Sequence, residues 1–495
     1  MRETDAWRNG EARRLEAVTS HDLVGFRTAV VSGVETGQRV VTFFGQQLPS
    51  TKVRLFAVLA DDARRILLPI TTEVDRDYPS LTPACPQVHL FEREIYEQLG
   101  VVPTGHPWLK SVRAHDFAGE APEENSKHTF FSMDGEEVHE VAVGPVHAGV
   151  IEPGHFRFQC HGEVVHHLEI QLGYQHRGVE EALVGGPHKR TMLQMETIAG
   201  DSTIAHATAY CQAVESLGGI EAPPRARALR AIALELERLA NHVGDMGALA
   251  NDVGFLPTAS FCGRLRGDFL NMTALICGSR LGRGLVRPGG VAFDVSRDMV
   301  DDLLLRLSLA ERDVEQALKL FFTTRSVVAR LEGIGPVSAE ACRDLGIVGL
   351  AARASGVVRD ARTDHPSGAF LQATVPISTC QTGDVYGRAR VRQLEIERSM
   401  VFVREQLQRL PEGPTRVACP PANPDQFVAI MVEGWRGEVV HAVLTDERGR
   451  FARYKVTDPS FHNWTALALA LRGQQISDFP LCNKSFNLSY CGFDL

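Results

Sequence analysis

Leu229, Ile232, Leu236, Leu239 and Val243 follow one another at alternating steps of three and four residues. With about 3.6 residues per helical turn, these positions line one side of a helix as an apolar stripe that another element must cover. Pro223 and Pro224 stand just ahead of it, where a proline suits the first turn of a helix. Further long helices are predicted over residues 296–323, 386–410 and 462–471, the first with Val300, Leu304, Leu307, Val314, Leu318 and Phe321 on related faces. Long stripes of this kind are buried against one another, which makes this part of the chain a helical bundle.

The pattern is different ahead of the bundle. Residues 156–160 and 164–170 read as strands and give the bundle a β-rich rim. Upstream, residues 39–44, 53–59 and 65–70 read as strands, followed by a helix over 88–99 that Gly100 ends. These form a small α/β domain over residues 20–114. Residues 115–137 carry Glu120, Glu123, Glu124, Asn125, Ser126 and Lys127 without apolar periodicity, and read as a linker to a second domain over 138–495. The expected fold class is α+β: a small N-terminal α/β domain, then a mostly helical bundle domain.

Bulk properties exclude several functions. At 495 residues with 44% hydrophobic and 23% charged side chains, the chain is long enough for two or three cores and is not disordered. A formal net charge of -9 without any Lys/Arg block speaks against a nucleic-acid partner. No apolar run follows the N-terminal Met1-Arg2-Glu3, and none approaches the roughly 18 residues of a membrane helix. A soluble cytoplasmic chain is expected, able to sit on a membrane complex. The ten cysteines are scattered with no C-x-x-C, so they read as small buried apolar side chains; structural zinc and iron–sulfur sites need close-spaced thiolates.

Two segments stand out by their residues: Gly144-Pro145-Val146-His147-Ala148-Gly149-Val150-Ile151-Glu152-Pro153-Gly154-His155 and Glu169-Ile170-Gln171-Leu172-Gly173-Tyr174-Gln175-His176-Arg177-Gly178. Taken alone they are turn residues beside strands, with His and Glu that solvent can accommodate. Taken with Tyr210-Cys211-Gln212, Arg287-Pro288-Gly289-Gly290, Val432-Glu433-Gly434-Trp435-Arg436-Gly437 and Asp458-Pro459-Ser460-Phe461-His462, their order resembles a known family. It is the large subunit of membrane-bound nickel–iron (NiFe) hydrogenases, with the related quinone-module large subunit of respiratory complex I, and the likeness spans residues 143–495. Tyr78-Pro79-Ser80-Leu81, Phe91-Glu92-Arg93-Glu94 and Gly105-His106-Pro107-Trp108 resemble the small α/β subunit of complex I. The two in this order are similar to the fusion found in formate hydrogenlyase-type large subunits.

The resemblance implies a metal site, and the residues depart from it. Family hydrogenases hold nickel and iron with two C-x-x-C pairs, because soft thiolates bind and tune such a centre. Aligned on His206 and Tyr210, the early pair falls on Ala199 and Ser202; aligned on Asp478-Phe479-Pro480-Leu481, the late pair falls on Ser489 and Gly492. All four ligands are absent, with Cys491 one residue from the last position. The resemblance therefore implies a vacated metal pocket at Ala199, Ser202, Ser489 and Gly492, no metal or cofactor held by this chain, and a quinone as the candidate occupant. The tyrosine that faces quinone in complex I aligns with Gly200, whereas His147 matches a histidine of the complex I motif. Glu152 matches the glutamate that carries protons away from nickel, and Arg436 an arginine that overhangs the cluster, or alternatively a structural partner of Glu433 or Glu438.

Glu152, His147 and Arg436 are thus the implied catalytic residues. The expected role is that of a subunit of a complex I-like or hydrogenase-related oxidoreductase. Such a subunit would sit peripherally on the inner face of the cell membrane, against an iron–sulfur small subunit that holds a 4Fe–4S cluster and against membrane arm subunits. It would couple electron transfer from NADH or ferredoxin, towards quinone or another acceptor, to ion translocation. The alternative is a non-catalytic scaffold joining the small subunit to the membrane arm.

Overall fold

The computed structural model describes residues 6–113, 129–147 and 151–495. Most of the stretch read as a linker, residues 115–128, lies outside the described residues.

Near the N-terminus a four-stranded sheet runs in the order Thr19–Ser20, Ile66–Val74, Val53–Asp61, Arg39–Gln47. The last three strands are antiparallel neighbours, with Phe43 opposite Ala57 and Leu59 opposite Leu68. Both faces are buried, which explains why these strands read as nearly unbroken apolar runs instead of alternating ones. The Leu23–Glu35 helix, capped by the Asp22 carboxylate on the Gly25 N–H, and the His89–Leu99 helix, ended by Gly100 at φ 67, take part in the core of one face through Phe26, Val30, Phe91 and Ile95. On the other face Phe44, Phe56 and Val58 meet Phe427, Met431 and Val440. Phe56 and Phe427 stack with ring centroids 5.8 Å apart.

Phe427 belongs to a second four-stranded antiparallel sheet, in the order Arg13–Arg14, Gln426–Glu433, Glu438–Thr445, Phe451–Thr457. The N-terminal strand Arg13–Arg14 thus pairs with a strand from the far end of the chain. Two sheets packed face to face bury large aromatic side chains on each side, each contributing about 1.5–3 kcal/mol.

The helical body is built from Thr203–Leu217, Pro224–Asp252, Leu256–Cys277, Arg297–Thr323 and Val385–Gln408. Leu229, Ile232, Leu236, Leu239 and Val243 are all buried in one cluster that draws on these five helices, as their spacing requires. A three-stranded sheet, with His155–His161 between Val164–Gln171 and Val138–Val143, forms the β-rich rim. The α+β architecture is the one expected. The Thr203–Leu217 helix was not, because it is buried on nearly every side and so has no polar face to mark its period. The strands Gln426–Glu433 and Glu438–Thr445 escaped for the same reason, being buried almost throughout.

Candidate functional site

Three chain segments and one turn converge at the end of the helical body. Residues 196–202 link the Thr191–Met195 helix to the Thr203–Leu217 helix. Glu152 lies just ahead of the His155–His161 strand, and the C-terminal segment follows the Phe479–Phe486 helix, which Asn487 ends at φ 46. Arg436 sits in the tight turn between Gln426–Glu433 and Glu438–Thr445.

The four vacated ligand positions are buried, and each has a non-metal environment. Ala199 carries no donor atom. The Ser202 hydroxyl accepts from Arg436 Nη1 at 3.4 Å. Ser489 caps the Tyr490–Phe493 turn of helix, its hydroxyl accepting the Gly492 N–H at 2.9 Å. At Gly492 a Cβ would stand 2.7 Å from Cγ of Asp458 and 2.8 Å from its Oδ2. Neighbouring Cys491 is no substitute: burial and the Glu152 carboxylate push its thiol up to about 12, so it stays protonated. A nickel–iron centre does not fit these residues. Among the described residues, no group of three or more His, Cys, Asp or Glu could hold a metal ion.

Asp458 is one end of a buried chain. His206 bonds Asp458 Oδ2 through Nε2 and His441 Nε2 through Nδ1, both at 3.1 Å, and His441 Nδ1 meets the Tyr454 hydroxyl at 2.7 Å. Burial and the neighbouring His206 hold His441 well below the usual imidazole range.

Beside the sealed positions, and lined by none of them, is a cavity of about 210 Å³ walled by Glu152, Asp201, Arg436, Lys484, Asn487 and Tyr490 among others. It is polar and roomy enough for several waters. Arg436 grips Asp201 with both terminal nitrogens at 2.7 Å, and its cationic carbon lies 3.9 Å over the Trp435 ring. Burial disfavours the Arg436 charge, and the Asp201 carboxylate more than offsets that, raising its pKa. Glu152 Oε2 accepts the N–H groups of Tyr490 at 3.2 Å and Cys491 at 3.4 Å, tying its loop to the C-terminal segment. His147 Nε2 is 3.4 Å from the Tyr490 hydroxyl, and burial depresses its pKa, which favours the neutral ring.

Glu152 and Arg436 therefore share a cavity, and His147 touches its wall through Tyr490. Arg436 partners neither acid weighed for it: Glu433 bonds Arg353 and Glu438 bonds Arg39. Those two glutamates face each other across the strands, whereas Arg436 lies between them in the turn and reaches the 196–202 segment. Asp201 and Tyr490 were missed, although each lies inside a vacated ligand pair, between Ala199 and Ser202 or between Ser489 and Gly492. Glu237 was missed as well. It accepts the N–H groups of Ile204 at 2.7 Å and Ala205 at 3.3 Å, and burial together with the Asp201 carboxylate pushes it up to about 8.

Residues 15–123 match the family described as the respiratory-chain NADH dehydrogenase 30 Kd subunit, and residues 252–425 and 420–494 match the 49 Kd subunit. Formate hydrogenlyase subunit 5 of Escherichia coli is 31% identical over 447 residues, covering 85% of this chain and 78% of that protein. The carbon monoxide-induced hydrogenase of Rhodospirillum rubrum is 32% identical over 348 residues, 70% of this chain and 96% of its own length. NADH-quinone oxidoreductase subunit 4 of Thermus thermophilus is 30% identical over 373 residues, 69% of this chain and 90% of that one. The chain belongs to the family of complex I and hydrogenase large subunits, and joins in one polypeptide regions of the 30 Kd and 49 Kd types.

Proposed function

We propose that this chain is the cavity-bearing subunit of a membrane-associated, complex I-like oxidoreductase that works without a nickel–iron centre. Its neighbours are an iron–sulfur small subunit, whose 4Fe–4S cluster delivers electrons derived from NADH or ferredoxin, and the subunits of a membrane arm that moves an ion. Among the described residues no helix is long and apolar enough to cross a membrane, so attachment to the inner face runs through those partners. The electron acceptor is a quinone or another small oxidant, which supplies the redox chemistry when bound.

The observation that carries this proposal is the polar cavity that keeps Glu152, Asp201 and Arg436 while the thiolate positions beside it are buried, the one at Gly492 closed by Asp458. A collapsed remnant would fill this space with bulky apolar side chains, whereas half-buried Glu152 and Asp201 keep it polar and open to water. Glu152 is the group that takes up and hands on the proton. Tyr490 stands at the cavity wall with His147 behind it at 3.4 Å from its hydroxyl, and the Asp201–Arg436 pair holds the two loops in register. The scaffold alternative draws its support from Arg436 and Ser489, both already engaged in structural hydrogen bonds.

The complex is purified and reconstituted in membranes, and ion translocation is measured for wild type and Glu152→Gln. The amide keeps an oxygen for the Tyr490 and Cys491 N–H groups but cannot titrate. Loss of translocation with intact assembly supports the relay. Normal translocation in the variant overturns it in favour of the scaffold.

A further inference from the structure

Four carboxylates meet three guanidiniums in the middle of the helical body. Glu235 comes from the Pro224–Asp252 helix, Glu395 from the Val385–Gln408 helix, Asp360 caps the Ala361–Asp364 helix, and Glu433 ends the Gln426–Glu433 strand. Arg238, Arg353 and Arg362 stand among them, and none of the seven residues is more than 3% exposed. Arg238 reaches Glu235 at 3.1 Å and Glu395 at 3.2 Å. Arg353 reaches Glu433 at 2.7 Å and Glu395 at 3.0 Å. Arg362 reaches Asp360 at 2.6 Å and Glu235 at 3.0 Å.

Among the described residues one of these carboxylates has no counterpart cation, and an uncompensated buried charge is strongly unfavourable. The charged groups packed around the cluster do not supply it. Arg392 is held by Asp245, Arg359 by Asp62, and Arg39 by Glu438, the cross-strand neighbour of Glu433. Asp364, which accepts the Asp360 N–H, adds negative charge. His242 lies 2.8 Å from Glu395 through Nε2, but its Nδ1 is buried without a hydrogen-bond partner. A charged imidazolium there would leave an N–H unpaired, so the neutral ring is the stable form.

We propose that this cluster is a proton-binding site, that the proton rests on Glu433, and that its occupancy positions the turn carrying Arg436. Glu433 is the least compensated of the four. Glu235 accepts from Arg238, Arg362 and Ser399, and Glu395 from Arg238, Arg353 and His242. Asp360 takes two bonds from the Arg362 guanidinium and one from the Arg362 backbone N–H, with Arg353 at 3.7 Å, whereas Glu433 takes a single guanidinium bond, from Arg353, and the Ala361 N–H. Burial and the nearby Asp360 push Glu433 up to about 7, while Glu395 is held well below the carboxylate range despite its burial. The link to the turn is direct. Arg238 donates to the backbone oxygens of Glu433 at 2.7 Å and Gly434 at 3.0 Å, and Trp435 stands edge-on to His242 with centroids 6.1 Å apart.

The test uses the full chain alone, so it stands or falls separately from translocation through Glu152. With glutamate labelled and Glu237→Gln as the common background, because burial pushes Glu237 up to about 8 as well, the infrared spectrum should show a protonated carboxyl band that titrates near neutral pH and is lost when Glu433→Gln is added. The thermal midpoint of Glu433→Gln should rise relative to wild type between about pH 4.5 and about pH 7, because the amide never has to give up a proton. Tryptophan emission, with Trp435→Phe as the subtraction, should shift with the same midpoint in wild type and stay flat in Glu433→Gln. In the Glu237→Gln background, a carboxyl band that survives Glu433→Gln overturns the proposal, as do parallel melting curves or pH-independent Trp435 emission in wild type. Should Glu433→Gln not fold, Glu237→Gln alone decides: absence of a carboxyl band titrating near neutral pH overturns the proposal.

Discussion

Asp458 occupies the space a side chain at position 492 would need: a Cβ on Gly492 would lie 2.7 Å from its Cγ, and Asp458 is itself fixed by His206 at 3.1 Å. The last vacated ligand position is thus closed by a buried hydrogen-bonded carboxylate. Gly492→Ala should cost about 1–3 kcal/mol in thermal or denaturant unfolding, the usual effect of overpacking a filled interior. A gain in stability would show that Asp458 moves aside freely.

Metal content follows from the same geometry. Purified chain should carry less than about one tenth of a nickel per molecule, since no soft donor set stands at positions 199, 202, 489 and 492. Writing cysteine at 199, 202, 489 and 492 together should not restore stoichiometric nickel, because Asp458 blocks the last sulfur. Elemental analysis checks both; full occupancy in either protein would contradict the sealed site.

Acid should unfold the protein partly through Glu180. Its carboxylate bonds Lys455 at 2.9 Å and Arg453 at 2.9 Å. Burial opposes its charge, and Lys455 and Arg453 outweigh that, lowering its pKa from 4.5 to about 2. A depressed folded-state pKa gives stability that is complete above the unfolded value and is lost as pH falls through the folded one. The window therefore runs from about pH 4.5 down to about pH 2, with on the order of 3 kcal/mol at stake. Glu180→Gln should flatten the stability profile across that window, as followed by urea midpoints.

Arg436→Lys should loosen the cavity without unfolding the chain. Lysine cannot reproduce the two parallel bonds to Asp201 together with the bond from Nε to the Asn487 carbonyl. A loss of about 1–2 kcal/mol is expected, moderated because water reaches Asp201. Hydrogen exchange should quicken at Asn487 and Asp201 and not in the helical body.

Glu152→Ala and Glu152→Gln should separate structure from proton transfer. Alanine removes the acceptor for the Tyr490 and Cys491 N–H groups and should speed their exchange by about tenfold, corresponding to roughly 1.4 kcal/mol. Glutamine should leave their protection near that of wild type. Equal exchange in both variants would mean that these bonds do not hold the C-terminal segment.

The residues alone determined that Leu229 to Val243 forms a helix with one apolar side, that residues 39–44, 53–59 and 65–70 lie in strands, and that no thiolate stands at positions 199, 202, 489 or 492. Those are matters of local period and of side-chain chemistry at a place in the chain, and both are written in the order of residues. Whether the vacated positions stay open or close was not written there. Only the fold brings Asp458 against Gly492, sets Arg436 on Asp201 across 235 residues, and gathers four carboxylates around three arginines. Packing and Coulomb forces act through space between groups that the chain order leaves far apart, and so they were decided by the tertiary structure.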